Sequence, residues 1–181
     1  MEGWGERSLS SYFDELKSAQ VAGFFMSKNK GRMNYMKLIK LMYLADRMSF
    51  ELYGRPITGD ELFNLEHGQI LSKTLDLIKQ KVEGKFFSNF FSRPRGYNIT
   101  IENDPRTSEL SKADLEILES IFENFGNYSQ WNLELYCHKL PEWENPGNSC
   151  IPIPYERLMK VLKFSDEEIN QSLEYISQWS S

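Results

Sequence analysis

Apolar residues are packed most densely along one stretch, Met33 to Tyr53, MNYMKLIKLMYLADRMSFELY. At roughly 100° per residue, Lys37, Lys40, Arg47 and Glu51 fall within one arc of about 80°, with Leu44 inside it and Met48 on its border. Most of the remaining circumference is apolar. The pattern therefore predicts a long central helix that the rest of the chain wraps, with that one stripe facing water. Gly54 stands where a left-handed residue ends a helix, and Pro56 follows two positions on. Asp46 breaks the pattern. It projects roughly 180° from Lys37, among Tyr35, Ile39, Met42, Phe50 and Tyr53, where a carboxylate is costly unless paired or protonated. We expect it to be buried and hydrogen-bonded to the His67–Ser72 turn or to the His138–Trp143 segment.

The same reading places the other elements. SYFDELKSAQVAGFFMSK is amphipathic, opened by a capping-box-like pair, Ser11 and Asp14, and broken by Lys28 to Arg32 with Gly31. FNLEHG is suited to a short extended piece, and Ile70 to Val82 reads as a third helix. Phe86 to Phe91 and Tyr97 to Glu102 read as two strands joined through Ser92–Gly96, although FFSNFF is doubled rather than alternating. Ser111 with Asp114 opens a helix that Gly126 stops. Ser129 to Lys139 is another, which Pro141 forbids to continue. Glu142 to Pro154 is a loop, Tyr155 to Lys163 a short helix, and Ser165 with Glu168 caps a last helix running to about Trp179. The fold class is α+β, predominantly helical, with about six to seven helices and a small antiparallel hairpin or sheet.

A chain of 181 residues with 40% hydrophobic and 14% aromatic content suits one domain with a real core. Its formal net charge of -5 argues against nonspecific binding to nucleic acid or anionic membrane. The charge is uneven: Lys28 to Arg55 is basic, and Glu102 to Glu123 is acidic. Two solvated faces account for this; so does a polarised docking surface. Cys137 and Cys150 form no C-x-x-C pair and no disulfide framework, which fits a reducing cytosol. No apolar run approaches the ~20 residues of a membrane span, and the start, MEGWGERS, lacks a signal-peptide core. A cytoplasmic protein is expected.

With only His67 and His138, neither in a ligand spacing, no metal site and no cofactor are expected. There is no glycine-rich phosphate loop and no G-x-S-x-G elbow. Asp46, His67, His138 and Glu142 are one set from which acid–base chemistry is conceivable. Scattered polar residues in a helical domain more often serve as hydrogen-bonded anchors. His138, in the last turn of its helix, is adequately explained by the helix dipole. Trp143 needs an acceptor for its indole N–H. Of Phe86, Phe87, Phe90 and Phe91, some must cover another element or a partner, because side chains alternate along a strand. The candidate polar cluster is therefore Tyr43, Asp46, His67, His138, Glu142 and Trp143. The candidate docking residues are Lys37, Lys40, Arg47, Phe87 and Phe91.

Three stretches, KLIKLMYLADRMSFELYGRPITGDEL, LEHGQILSKTLDLIK and NYSQWNLELYCHKLPEW, share one set of motifs: K-L-x-Y-x-A-D, G-x-P-I-x-G-D, H-G and H-x-x-P-E-W. In order and spacing the set resembles the Panacea domain, the SocA-like antitoxin domain also found in phage-associated proteins. The resemblance runs from roughly residue 10 to residue 145. The remainder, about 146 to 181, reads as a helical extension within a single domain. The resemblance implies a mainly helical domain with a small sheet, and an antitoxin that neutralises a toxin by direct binding, the toxins being of several unrelated classes. Two positions depart from the family pattern. Gln69 stands where H-G-P is common, and Leu75 where an aromatic residue is common; if those positions shape the partner-binding region, the departures alter partner specificity or activity. The function expected is a bacterial toxin-neutralising binding protein, not an enzyme. Its partner is a cognate toxin, with no nucleic acid or membrane involved and homo-oligomers open. The alternatives are a hydrolase built on Asp46, His67, His138 and Glu142, and a proteolysis adaptor.

Overall fold

Asn34 decides where the central helix begins. In the computed structural model, which describes residues 12–179, its side-chain oxygen accepts from the backbone N–H groups of Met36 and Lys37 at 2.9 and 3.2 Å. Helix α2 therefore runs Tyr35–Tyr53, two residues later than the apolar pattern starts. The residues before it form strand β1 (Arg32–Asn34), which pairs antiparallel with β4 (Asn98–Thr100), Arg32 opposite Thr100 and Asn34 opposite Asn98. At the other end Gly54 has φ 65° and its N–H bonds to Phe50 O, the expected left-handed stop.

Packed around α2 are α1 (Glu15–Lys28), β3 (Gly68–Leu71), α5 (Lys112–Phe125), α6 (Gln130–Cys137) and α7 (Tyr155–Val161). Its apolar face supplies Leu38, Ile39, Leu41, Met42 and Phe50 to the core, where Phe25, Leu118, Leu133 and Leu158 meet them. Each such side chain contributes about 1.5–3 kcal/mol by leaving water. The polar stripe does not face water as expected. Lys40 is fully buried, and Lys37 and Arg47 are half-buried, leaving only Glu51 exposed. A second layer, α6 and the turn after it, lies over the stripe, and helical periodicity carries no sign of that layer.

Capping residues set most other boundaries. Asp14 caps α1, accepting from Lys17 N at 2.9 Å; Ser11, its expected partner, lies outside the described residues. The pairs Ser111–Asp114 and Ser165–Glu168 both form reciprocal capping boxes, opening α5 and α8 (Asp166–Ser177). Ser129 caps α6.

Three expectations are corrected. The third helix, α3 (Ser72–Ile78), is shorter than predicted, because Ile70 and Leu71 belong to β3, which forms a hairpin with β2 (Leu62–Leu65) around Glu66 and His67. Phe86 to Phe91 is not a strand. One helical turn, α4 (Phe87–Phe90), replaces it, and only Phe91 bridges to Ile101. Phe87 and Phe91 are thus four apart on a helical turn, stacked at 4.6 Å and buried, which is why FFSNFF does not alternate. Finally, the loop after Glu142 contains β5 (Ile151–Pro152), which completes a sheet of order β3-β2-β5. The described residues thus form eight helices and two small antiparallel sheets, an α+β fold that is mostly helical. No helix among them is long and apolar enough to cross a membrane.

Candidate functional site

Between α2, the β2–β3 hairpin and the turn after α6, buried polar side chains hold three elements together. Glu142 is fully buried. Its carboxylate accepts from Tyr43 Oη at 2.7 Å and from Arg47 Nε and Nη2 at 2.6 and 3.2 Å. Asn64 Nδ2 donates to the Glu142 carbonyl at 3.1 Å, so the hairpin is tied to the same residue. Tyr43 and Arg47 lie four apart on α2 and therefore share a face. Burial and the adjacent Glu142 push the Tyr43 phenol well above its usual range. A carboxylate with this many donors is a clamp. One turn away, Gln69 Nε2 donates to Cys137 O at 3.1 Å, and His138 Nε2 pairs with Glu66 O at 3.0 Å. Trp143 lies against the His138 ring with centroids 4.3 Å apart.

A second cluster anchors the loop between α2 and β2. Asp46, fully buried as its position predicts, accepts from Ile57 N at 2.8 Å, Thr58 N at 3.0 Å and the Thr58 hydroxyl. These partners correct the expectation that it would bond to the His67 turn or the His138 segment. Two positions on, Asp60 accepts from Glu61 N, Lys73 N, Thr74 N and the Thr74 hydroxyl at 2.6–2.9 Å. Helix α3 has no cap of its own at Leu71, and Asp60 supplies one from a distance. Burial pushes both carboxyls up to about 6, against the pull of these donors. Between them Gly59, at φ 72°, passes so close to Tyr12 O that no Cβ fits. Asp60 was not among the candidates drawn from the sequence, although it ends the G-x-P-I-x-G-D motif.

Lys40 lies at the heart of the first cluster, and Nζ meets no hydrogen-bond acceptor among the described residues. It sits 3.1 Å from the point where a Cβ on Gly68 would stand. Burial lowers its pKa, with Cys137 and Glu134 pulling the other way. The Cys137 thiol is itself pushed up to about 11 by burial.

The conceivable acid–base set is not assembled. Asp46 is committed to its loop and Glu142 to Arg47 and Tyr43, while His67, with 60% of its side chain exposed, pairs with Glu134 on the surface at 3.0 Å. The expected docking residues are also reassigned. Lys40, Phe87 and Phe91 are buried, Lys37 donates to Gly126 O at 2.6 Å, and Arg47 is half-buried against Glu142. Among the described residues no group of three or more His, Cys, Asp and Glu is placed to hold a metal ion.

The model of one protein family, described as the antitoxin SocA-like Panacea domain, matches residues 38–144, more than half of the chain. The chain belongs to this family. Membership supports an antitoxin-like, non-enzymatic role. No curated protein and no solved structure matches the chain. The Panacea match takes in both clusters, from Lys40 and Asp46 to Glu142 and Trp143.

Within the Panacea region, the motif residues turn one face of α6 outward. Gln69, His138 and His67 fix its inner side and its end to the hairpin. Trp131 and Leu135, one turn apart on the opposite side, are 64% and 60% exposed, and Tyr128 stands at the entrance to the helix. Sequence reasoning missed this ridge. Exposed and buried aromatic residues look alike in a short helix whose hydrophobicity is spread round its circumference.

Proposed function

We propose that the protein is an antitoxin that neutralises a cognate toxin in the cytoplasm by binding it directly. The observation that carries this reading is the α6 ridge, where large apolar side chains stand in water on a helix whose inner side and end are hydrogen-bonded to the hairpin. Exposed Trp and Tyr on a rigid support are the residues that most often supply the strong contacts of a protein interface. Family membership supports the same reading. The polar clusters serve it by making the support stiff, since a preorganised surface loses less entropy on binding. The test is co-expression with the product of the adjacent gene. Toxicity should be relieved and the pair should co-purify as a stoichiometric complex. Relief of toxicity with no complex at any salt concentration would reject direct binding.

A further inference from the structure

The expected basic stripe is covered, but a different set of cations stands free. Arg32, Lys79, Arg93 and Arg95 are exposed and form no ion pair among the described residues. The fold brings the segments that carry them together around the β1–β4 ladder. Arg32 lies opposite Thr100 in the β1–β4 ladder, Ser92 N bonds to Thr100 O, and Arg95 bridges to Asn98. Lys79 lies 6.0 Å from the Tyr35 ring, which in turn is 5.7 Å from Tyr97. Tyr97 itself is 61% exposed. Arg93 also lines a groove of about 620 Å³, with Phe87, Phe91, Gln80, Glu83 and Glu102.

We infer that this face docks an extended acidic segment of a partner protein, with carboxylates on the arginine and lysine side chains and an apolar side chain on Tyr97 or in the groove. Charge complementarity selects this occupant. A row of unpaired cations on a chain of net charge -5 is a local reversal of sign, which attracts and orients an acidic partner. Glu83 and Glu102 weigh against nucleic acid. A phosphate backbone carries charge at every step and would meet both, whereas a peptide can place an uncharged residue there. Arginine next to exposed tyrosine also suits planar carboxylates flanked by apolar groups.

The inference rests on the reading that the protein acts by binding, and it adds a second surface and a partner charge. The probe is a fluorescent peptide of about a dozen residues, Glu and Asp interrupted by two Phe, titrated with the full chain at about 50 mM and about 300 mM salt. The wild type should bind it saturably. Arg93→Glu with Arg95→Glu should weaken binding about tenfold or more at low salt, with the gap narrowing at high salt. Circular dichroism should be unchanged, because both side chains are exposed. The inference is overturned if the double variant binds as well as the wild type, if the wild type does not bind the peptide, or if single-stranded DNA of equal charge binds more tightly. A toxin complex that forms at an unchanged rate with the double variant would also overturn it, and would leave direct neutralisation standing.

Discussion

Thr74 gives Asp60 both its backbone N–H, at 2.8 Å, and its hydroxyl, at 2.6 Å, across fourteen residues of sequence. The hydroxyl is also 2.7 Å from Ser18 Oγ, so this one contact joins α1, the loop after α2 and α3. Asp60→Ala orphans buried donors at the start of a seven-residue helix. We expect a loss of about 3 kcal/mol in urea unfolding. Amide exchange at Thr74 and Leu75 should accelerate well before global unfolding. A loss under about 0.5 kcal/mol would mean that α3 does not depend on this cap.

Asp46 should impose a pH dependence of the opposite sense to that of a salt-bridged carboxylate. Its folded pKa of about 6 lies above the ordinary 3.8. The folded state therefore binds the extra proton between these values, and the stability it contributes is full below the lower one and is lost as pH rises through about 6. At about 1.4 kcal/mol per unit, the loss is on the order of 2–3 kcal/mol. Asp46→Asn should remove only part of the slope over that window, because Asp60 is raised over the same range. It can keep the Ile57 and Thr58 N–H bonds at Oδ1 while donating to the Thr58 hydroxyl. Asp46→Leu leaves those N–H groups unpaired and should cost about 3–5 kcal/mol. Asp114 acts in the other sense. Burial raises its pKa, but the Ser111 N–H, Lys17 and Arg55 outweigh that and leave it lowered, so its contribution is lost as pH falls. Unfolding curves from about pH 2 to about pH 8 separate the two, Asp114 acting below its ordinary 3.8 and Asp46 above it.

The Glu142 clamp predicts strong coupling. Glu142→Leu alone strands the Arg47 guanidinium and should cost about 3–5 kcal/mol. Tyr43→Phe removes a single donor, for about 1 kcal/mol. Combining Glu142→Leu with Arg47→Met should recover much of the loss, giving a double-mutant coupling above about 2 kcal/mol. Additive losses would show that Arg47 reaches water once Glu142 is gone.

Lys40→Met should be neutral or stabilising, because it replaces an unpaired buried ammonium with an apolar side chain of similar length. Gly68→Ala should destabilise by about 1–2 kcal/mol, since φ is 102° and the new methyl meets Lys40 Nζ. In the Lys40→Met background that cost should shrink only partly, because the backbone strain remains. A melting temperature several degrees lower for Lys40→Met would contradict this account.

Trp131→Ala and Leu135→Ala should leave stability within about 0.5 kcal/mol, because both side chains are mostly exposed. Toxin affinity should fall at least about tenfold with Trp131→Ala, mainly through faster dissociation. Unchanged dissociation would remove α6 from the interface.

Signals that act within a few residues were legible in the sequence. The Gly54 stop and the boxes at Ser111 and Ser165 arise from side chains and backbone acting on their neighbours, and the long α2 and the extended FNLEHG segment show as local patterns. The family motifs were legible as a set, and they enclose both polar clusters. What stayed hidden needed distant partners. Asp46 advertised its burial, but its donors are the backbone N–H groups of Ile57 and Thr58, which have no residue signature. Lys37, Lys40 and Arg47 looked like a wet face because periodicity reports polarity, not what covers it. Phe87 and Phe91 were read with a strand's period, although Glu15 reaches from α1 to accept the N–H groups of Lys85, Phe86 and Phe87 and start a helical turn there.

Similarity and folding draw different borders in this chain. The family match stops at residue 144, yet β5 lies beyond it and pairs with β2, Ile151 opposite Asn64. Tyr155 donates to the Asp60 carbonyl at 2.6 Å, and Ile153, Leu158 and Met159 are buried in the core. A fragment trimmed at the homology border would bare a strand edge and an oily flank together, the combination that makes proteins clump. The segment after residue 144 therefore covers core and strand edge that the matched region leaves open.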